Sequence, residues 1–188
     1  MNTLIIDNYD SFTYNIVQLV RCITGEEPTV TRNDVIDLDT VGSYDKIILS
    51  PGPGIPSEAG LLKKLIARHG PQKSILGICL GHQAIGEVYG AKLINMPAVL
   101  HGVASDMHRR TSDILFEGLS PTITGAHYHS WVVGKEEFPE ALEILLEDAQ
   151  GQIMALRHRY YDVKGLQFHP ESILTPEGMQ MMQNWFNN

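Results

Sequence analysis

No stretch of about 18 apolar residues occurs anywhere in the chain, so no helix is expected to span a membrane. Basic runs are missing as well: 14 Lys and Arg are scattered among 22 Asp and Glu, for a net charge of −8. Nucleic acid is a poor partner for such a surface. The opening residues, MNTLIIDNYD, lack a positively charged region and soon meet acids, which argues against a secretory signal. Cysteine is scarce, with Cys22 and Cys79 alone. Helical context at both, and no secretory signal, make reduced thiols in the cytoplasm the expectation rather than a disulfide. Cys22 is expected to pack on the first helix. Repeats, low-complexity tracts and long linkers are absent, as is the GxxxxGK[ST] phosphate loop. What remains is a chain of 188 residues, 43% hydrophobic and 19% charged. One globular domain over residues 1–188 is expected, burying roughly 70% of the surface exposed by the unfolded chain.

The first half alternates short apolar runs with amphipathic segments. Thr3–Asp7 reads as a buried strand. Phe12, Ile16, Leu19, Val20 and Ile23 then recur at helical spacing up to Gly25. Strands are expected at Pro28–Thr31, Lys46–Ser50 and Ile75–Ile78, with a helix over Glu58–His69. Strands alternating with helices indicate crossovers and a parallel sheet. After Tyr89 short strands dominate: Ala91–Met96, Ile114–Phe116, Thr122–Gly125, Trp131–Val133, Leu142–Leu146, Ile153–Arg157 and Gly165–Phe168. Antiparallel hairpins are expected there, closed by a helix over Pro176–Phe186. The fold class is therefore α/β, a three-layer architecture with a mixed, mostly parallel central sheet. Ligands in such sheets bind beyond the carboxyl ends of the strands.

Ser74–Gly90, SILGICLGHQAIGEVYG, carries the densest chemical signal. An apolar strand meets a helix at Cys79, with Gly77 and Gly81 two residues to either side. A turn this tight needs small residues flanking its apex, as in the nucleophile elbow of serine hydrolases. A sulfur at a helix N-terminus is favoured as thiolate. A buried structural cysteine is the competing reading. Directly after the third strand, Ser50-Pro-Gly-Pro-Gly-Ile-Pro56 offers backbone N–H groups only at Gly52 and Gly54 before Ile55. Such a rigid loop suits an oxyanion site, with the N–H of Leu80 as a second donor. His169 and Glu171 follow the last strand at i, i+2 spacing. An extended chain, favoured by Pro170, puts both on one face. The carboxylate can then hold the imidazole tautomer. His127 and His129 share that spacing, but no further ligand is near in sequence, so no metal site is expected.

The motifs GICLGHQ, SPGPG and QFHPES, in this order, resemble the class I (triad) glutamine amidotransferases. IIDNYDSFTYN, His101-Gly102, Tyr128-His129-Ser130 and FHPESILTPEG are similar to one branch of them: the glutaminase subunits of anthranilate synthase and of 4-amino-4-deoxychorismate synthase. The resemblance covers nearly the whole chain. It implies a cysteine-dependent enzyme that hydrolyses L-glutamine, with Cys79 as nucleophile, His169 as acid and base, and Glu171 orienting His169. It implies an oxyanion hole at Gly54 and Leu80, and glutamine binding by Gly52, Gly54, Gln83, Ser130 and the backbone at Trp131. His82 is expected to pack only. The subunit itself is expected to need no cofactor, with Mg2+ confined to a chorismate-using partner that consumes the ammonia.

Three positions depart from the branch's commonest pattern: His127 for arginine, Val103 for lysine and Trp131 for leucine. None belongs to the triad. Anthranilate formation for tryptophan is the leading expectation. The aminodeoxychorismate pathway to folate, or service to both, stays open. So do a free-standing cysteine hydrolase and a non-catalytic subunit.

Overall fold

The computed structural model describes residues 1–188, with Ala98 described in its backbone alone. In chain order the elements are β1 (Thr3–Asp7), α1 (Thr13–Thr24), β2 (Thr29–Arg32), β3 (Lys46–Leu49), α2 (Leu62–His69), β4 (Ser74–Ile78) and α3 (Leu80–Val88). The second half holds β5 (Leu93–Arg109), β6 (Thr122–Val133), β7 (Leu142–Asp148), β8 (Ile153–His158), β9 (Val163–Leu166) and α4 (Gly178–Phe186). All nine strands form one sheet in the order β2-β1-β3-β4-β9-β8-β7-β5-β6.

The sheet sorts its side chains with period two. Ile5 and Ile48 face one side, where they meet Ile16, Val17 and Val20 of α1 and Met181, Met182 and Trp185 of α4. Their neighbours Leu4, Ile6, Ile47 and Leu49 face the other side, against Leu62, Leu65 and Ile66 of α2 and Ala84 and Ile85 of α3. Successive strand residues point to opposite faces, so near-continuous apolar runs fill two cores at once. The result is the three-layer α/β arrangement expected from the sequence. Its pairings divide evenly: β2-β1, β1-β3, β3-β4 and β4-β9 are parallel, and the other four are antiparallel. The parallel share is thus smaller than the sequence pattern suggested, because β5 to β8 all join by antiparallel pairing.

Several expected boundaries move. Ile114–Phe116 is a 3-10 turn started by the Asp113 side chain, which accepts from the Leu115 N–H. A run of three apolar residues is too short to distinguish strand from turn. Pro56–Glu58 is likewise a 3-10 turn, and α2 proper begins at Leu62. The final helix starts at Gly178, two residues beyond Pro176. The larger correction concerns residues 122–133. Two short strands with a polar loop between them were expected; they are one strand, β6, paired along β5 with irregularities between Asn95 and Leu100 and between His101 and Val103. Gly125–Trp131 therefore lies inside a ladder, so its side chains alternate faces instead of sharing a loop. Cys22, expected to pack, is exposed, while Cys79 is buried, and both are free thiols. No helix is long and apolar enough to cross a membrane.

Candidate active site

Cys79 occupies the turn from β4 into α3 at φ 52° and ψ −99°. A residue with a Cβ adopts positive φ only when its surroundings hold it there. Two glycines make this turn possible. A Cβ on Gly77 would lie 2.5 Å from Gly81 O, and one on Gly81 would lie 2.6 Å from Leu49 O. Strand and helix therefore touch backbone to backbone around the cysteine. The Cys79 N–H donates to Leu166 O at 2.7 Å, tying the elbow to β9. Cys79 is only 5% exposed.

The proline-glycine loop is carried to the elbow from β3. Asn8 holds it: its N–H donates to Ser50 Oγ at 2.9 Å, and its side-chain amide donates to Ser50 O at 2.7 Å. Asn33 Nδ2 in turn donates to Asn8 Oδ1 at 2.9 Å. A Cβ on Gly52 would lie 2.8 Å from Leu80 Cδ2, so the loop and the first residue of α3 are in direct contact. Gly52 and Gly54 line a cleft of about 160 Å³ together with Cys79, Gln83, Tyr128, Ser130 and Trp131. Each glutamine-binding position implied by the resemblance is therefore on one wall system. The Trp131 carbonyl is already occupied, accepting from Gln83 Nε2 at 2.9 Å. A second cleft, of about 520 Å³, also borders Cys79 and is lined by Asp10, Phe12, His101, Tyr128 and His169.

His169 and Glu171 come together, but not as an extended strand. β9 ends at Leu166. The chain then turns, with the Ser172 N–H donating to His169 O at 3.2 Å. Across that turn Glu171 Oε1 meets His169 Nδ1 at 2.6 Å, and both side chains are almost wholly buried. What fixes the backbone is β6: the His169 N–H donates to Ala126 O at 3.0 Å, and Thr175 Oγ1 links His169 O (2.7 Å) to the Ala126 N–H (3.0 Å). Tyr128 and Phe12 pack against the imidazole in T-shaped pairs at centroid distances of 4.9 and 5.4 Å. Burial alone would drive the His169 pKa down. The Cys79 sulfur and the Glu171 carboxylate outweigh it and raise the pKa to about 10. Nε2 makes no hydrogen bond of good geometry among the described residues. The Cys79 sulfur still acts on His169 first as a hydrogen-bonding neighbour and only then as a charge.

Burial lowers the pKa of three histidines packed around the site, His82, His127 and His129. His82 is fully buried over Gly165, and burial pushes it down to about 4, in keeping with the packing role expected of it. His129 falls to about 3, through burial and then its neighbours His127, His82 and His169. His127 stands 3.2 Å from His129 and 2.8 Å from Ser105 Oγ. Sequence reasoning passed over Gln167, whose Nε2 approaches Cys79 Sγ at 3.6 Å. It opens the QFHPES motif, and that was the signal available in the sequence.

The placement of α4 has a testable consequence. A Cβ on Gly178 would lie 2.8 Å from Pro170 C and would overlap Pro170 O. Both are backbone atoms of the turn that joins His169 to Glu171, so neither can swing aside. Gly178→Ala is expected to lower stability by about 1–3 kcal/mol, the usual cost of overpacking. It should also lower activity at temperatures where the fold persists. Thermal melts and glutamate release measured together check this, and an unchanged variant would show that the turn tolerates displacement.

A cysteine at a strained strand–helix elbow, beside a buried His–Glu pair in a three-layer α/β sheet, defines a thiol-dependent hydrolase or transferase type of site. The sequence matches the class-I glutamine amidotransferase family over residues 4–188, and the chain belongs to that family. It is 44% identical to the anthranilate synthase component 2 of Thermus thermophilus, over 100% of this chain and 93% of that protein. It is 42% identical to the aminodeoxychorismate synthase component 2 of Klebsiella aerogenes, over 98% of each. Among solved structures, a candidate GMP synthase component from Thermoplasma acidophilum superimposes with a TM-score of 0.88 at 25% identity, covering 100% of this chain and 92% of that one.

Proposed function

We propose that this chain is a glutaminase subunit that releases ammonia from L-glutamine for a chorismate-using synthase. The observation that carries the reading is Cys79 at its elbow, bordering both a polar cleft lined by Gln83 and Ser130 and a second cleft lined by His169, which is paired with Glu171. In this mechanism the proton starts on His169 and the Cys79 sulfur attacks the side-chain carbon of glutamine as thiolate. Backbone N–H groups of Leu80 and Gly54 receive the negative charge that develops on the amide oxygen. As the tetrahedral species collapses, the C–N bond breaks and His169 delivers its proton to the departing nitrogen, giving ammonia and a glutamyl thioester. His169, now neutral, takes a proton from water, the hydroxide adds to the thioester, and glutamate leaves as the thiolate is restored. Glu171 holds Nδ1 throughout. Gly52, Gly54, Gln83, Ser130 and the backbone near Trp131 hold the amino-acid end of the substrate. The steps use protein groups and water, and Mg2+ belongs to the chorismate-binding partner.

Ammonia in water at neutral pH is mostly ammonium, a poor nucleophile, so a partner that receives it before it escapes fits the chemistry. A mouth that faces a partner also fits the exposure of Tyr9 and Val99, which border the two clefts at 51% and 71%. Anthranilate is the product we favour. The aminodeoxychorismate pathway is the second reading, supported by nearly equal identity to a component 2 of each kind. A cytoplasmic setting follows from both pathways.

Glutamate release, measured alone and with each type of chorismate-using subunit, tests the proposal. Added partner and chorismate are expected to raise the rate, and the aromatic product names the pathway. Absence of a complex by gel filtration at micromolar concentration would count against the partner. Inert protein with both partners would favour a non-catalytic subunit.

A further inference from the structure

Gln167 is fully buried just beyond β9, its N–H held by Met154 O at 2.8 Å. Its side chain lies between the nucleophile and the wall of the glutamine cleft. Nε2 points to Cys79 Sγ at 3.6 Å, and Oε1 accepts from Gln83 Nε2 at 3.3 Å. The orientation of this amide follows from its neighbours. Gln83 Nε2 also donates to the Trp131 carbonyl at 2.9 Å, which makes that end of Gln83 a donor. Gln167 must therefore turn its oxygen toward Gln83 and its N–H toward the sulfur. The reverse orientation would set two NH2 groups against each other in a buried site.

We propose that Gln167 is a positioning residue for Cys79: its amide N–H holds Sγ in the attacking orientation and favours the negative charge there, while Gln83 keeps the amide aimed. The inference rests on the reading of Cys79 as nucleophile. A hydrogen bond to a charged acceptor is stronger than one to its neutral form, so this donor counts most when the sulfur is a thiolate. It also joins two parts of the site. Gln83 lines the cleft that would take glutamine, and its hold on Gln167 carries the state of that wall to the sulfur.

The test reads Cys79 directly, by the pH dependence of its alkylation with iodoacetamide. It is done in a Cys22→Ser background because Cys22 is an exposed thiol. Gln167→Met keeps the length and unbranched shape but removes the donor. Its alkylation midpoint is expected to move up by about one pH unit, the equivalent of one lost charge-assisted hydrogen bond. kcat/KM for glutamine is expected to fall roughly tenfold. Gln167→Glu replaces the donor with a carboxylate and should move the midpoint further in the same direction. A merely structural side chain would lower the melting temperature without moving the midpoint. Unshifted midpoints in the folded variants overturn the inference while leaving Cys79 as nucleophile. With Gln167 intact, its side-chain NH2 resonances should shift over the same pH range in which Cys79 becomes reactive. Resonances that stay still overturn the proposal whatever the variants' folding. If Cys79 alkylates no faster than Cys22 does in a Cys79→Ser protein, the nucleophile reading fails, and this inference with it.

Discussion

Cys79→Ser is expected to abolish glutamate release, by about 10⁴-fold or more, while the protein melts within a few degrees of wild type. The two outcomes follow from different features of the residue. Its backbone, at φ 52°, is held by the Gly77–Gly81 contact and by the N–H donated to Leu166 O. Serine can occupy the same conformation and nearly the same volume, so the elbow survives. Its chemistry does not. A hydroxyl is far less acidic than a thiol, and an imidazolium beside it cannot leave an alkoxide in place as it leaves a thiolate. A Cys79→Ser protein that still binds the partner subunits but releases no glutamate would separate assembly from chemistry. Full activity in Cys79→Ser would instead make Cys79 a buried structural residue and move the search for the nucleophile elsewhere.

Glu171→Gln is expected to lower kcat by about 10²-fold or more, the range attributed to general acid–base steps, and to move the alkaline limb of the rate profile downward. The sign follows from the pair. Burial opposes the imidazolium of His169, and the Cys79 sulfur and Glu171 carboxylate reverse that to give a pKa of about 10. Removing the carboxylate's charge removes one of the two supports, so the pKa falls back toward the ordinary value near 6.5. The leaving group then loses its proton donor at a lower pH. Stability changes in step. A group with a raised folded-state pKa contributes fully below its unfolded value and loses that contribution as pH rises through the folded one. Wild type should therefore lose this part of its stability between about pH 6.5 and 10, and Glu171→Gln should show a smaller loss that is complete at a lower pH. Histidine NMR titration, with rates followed from pH 6 to 10, checks both. A titration unmoved in Glu171→Gln would mean that Cys79 alone sustains the shift.

The sequence by itself determined the elements whose signal is local. β1, β3 and β4 are continuous apolar runs, α1 repeats at helical spacing, and the elbow is written in one cysteine flanked at two residues by glycine. Each is encoded by residues within a few positions of one another, and these elements carry Cys79 and the Gly52–Gly54 loop to the carboxyl ends of the adjacent parallel strands β4 and β3. Only the tertiary structure decided the rest. His169 and Glu171 meet across a turn pinned to β6 by the Ala126 bridge and by Thr175, partners that are 43 and 6 residues from His169 in sequence. Strand spacing indicated the same pair for the wrong geometric reason. The polar stretch Gly125–Trp131 belongs to a strand because β5 lies alongside it, and no local composition reveals a ladder partner. Gln167 reaches the sulfur only because β9 inserts next to β4, bringing together residues 88 positions apart. Local propensity is set by neighbours in the chain. A reacting group is set by neighbours in space, and those depend on the sheet order.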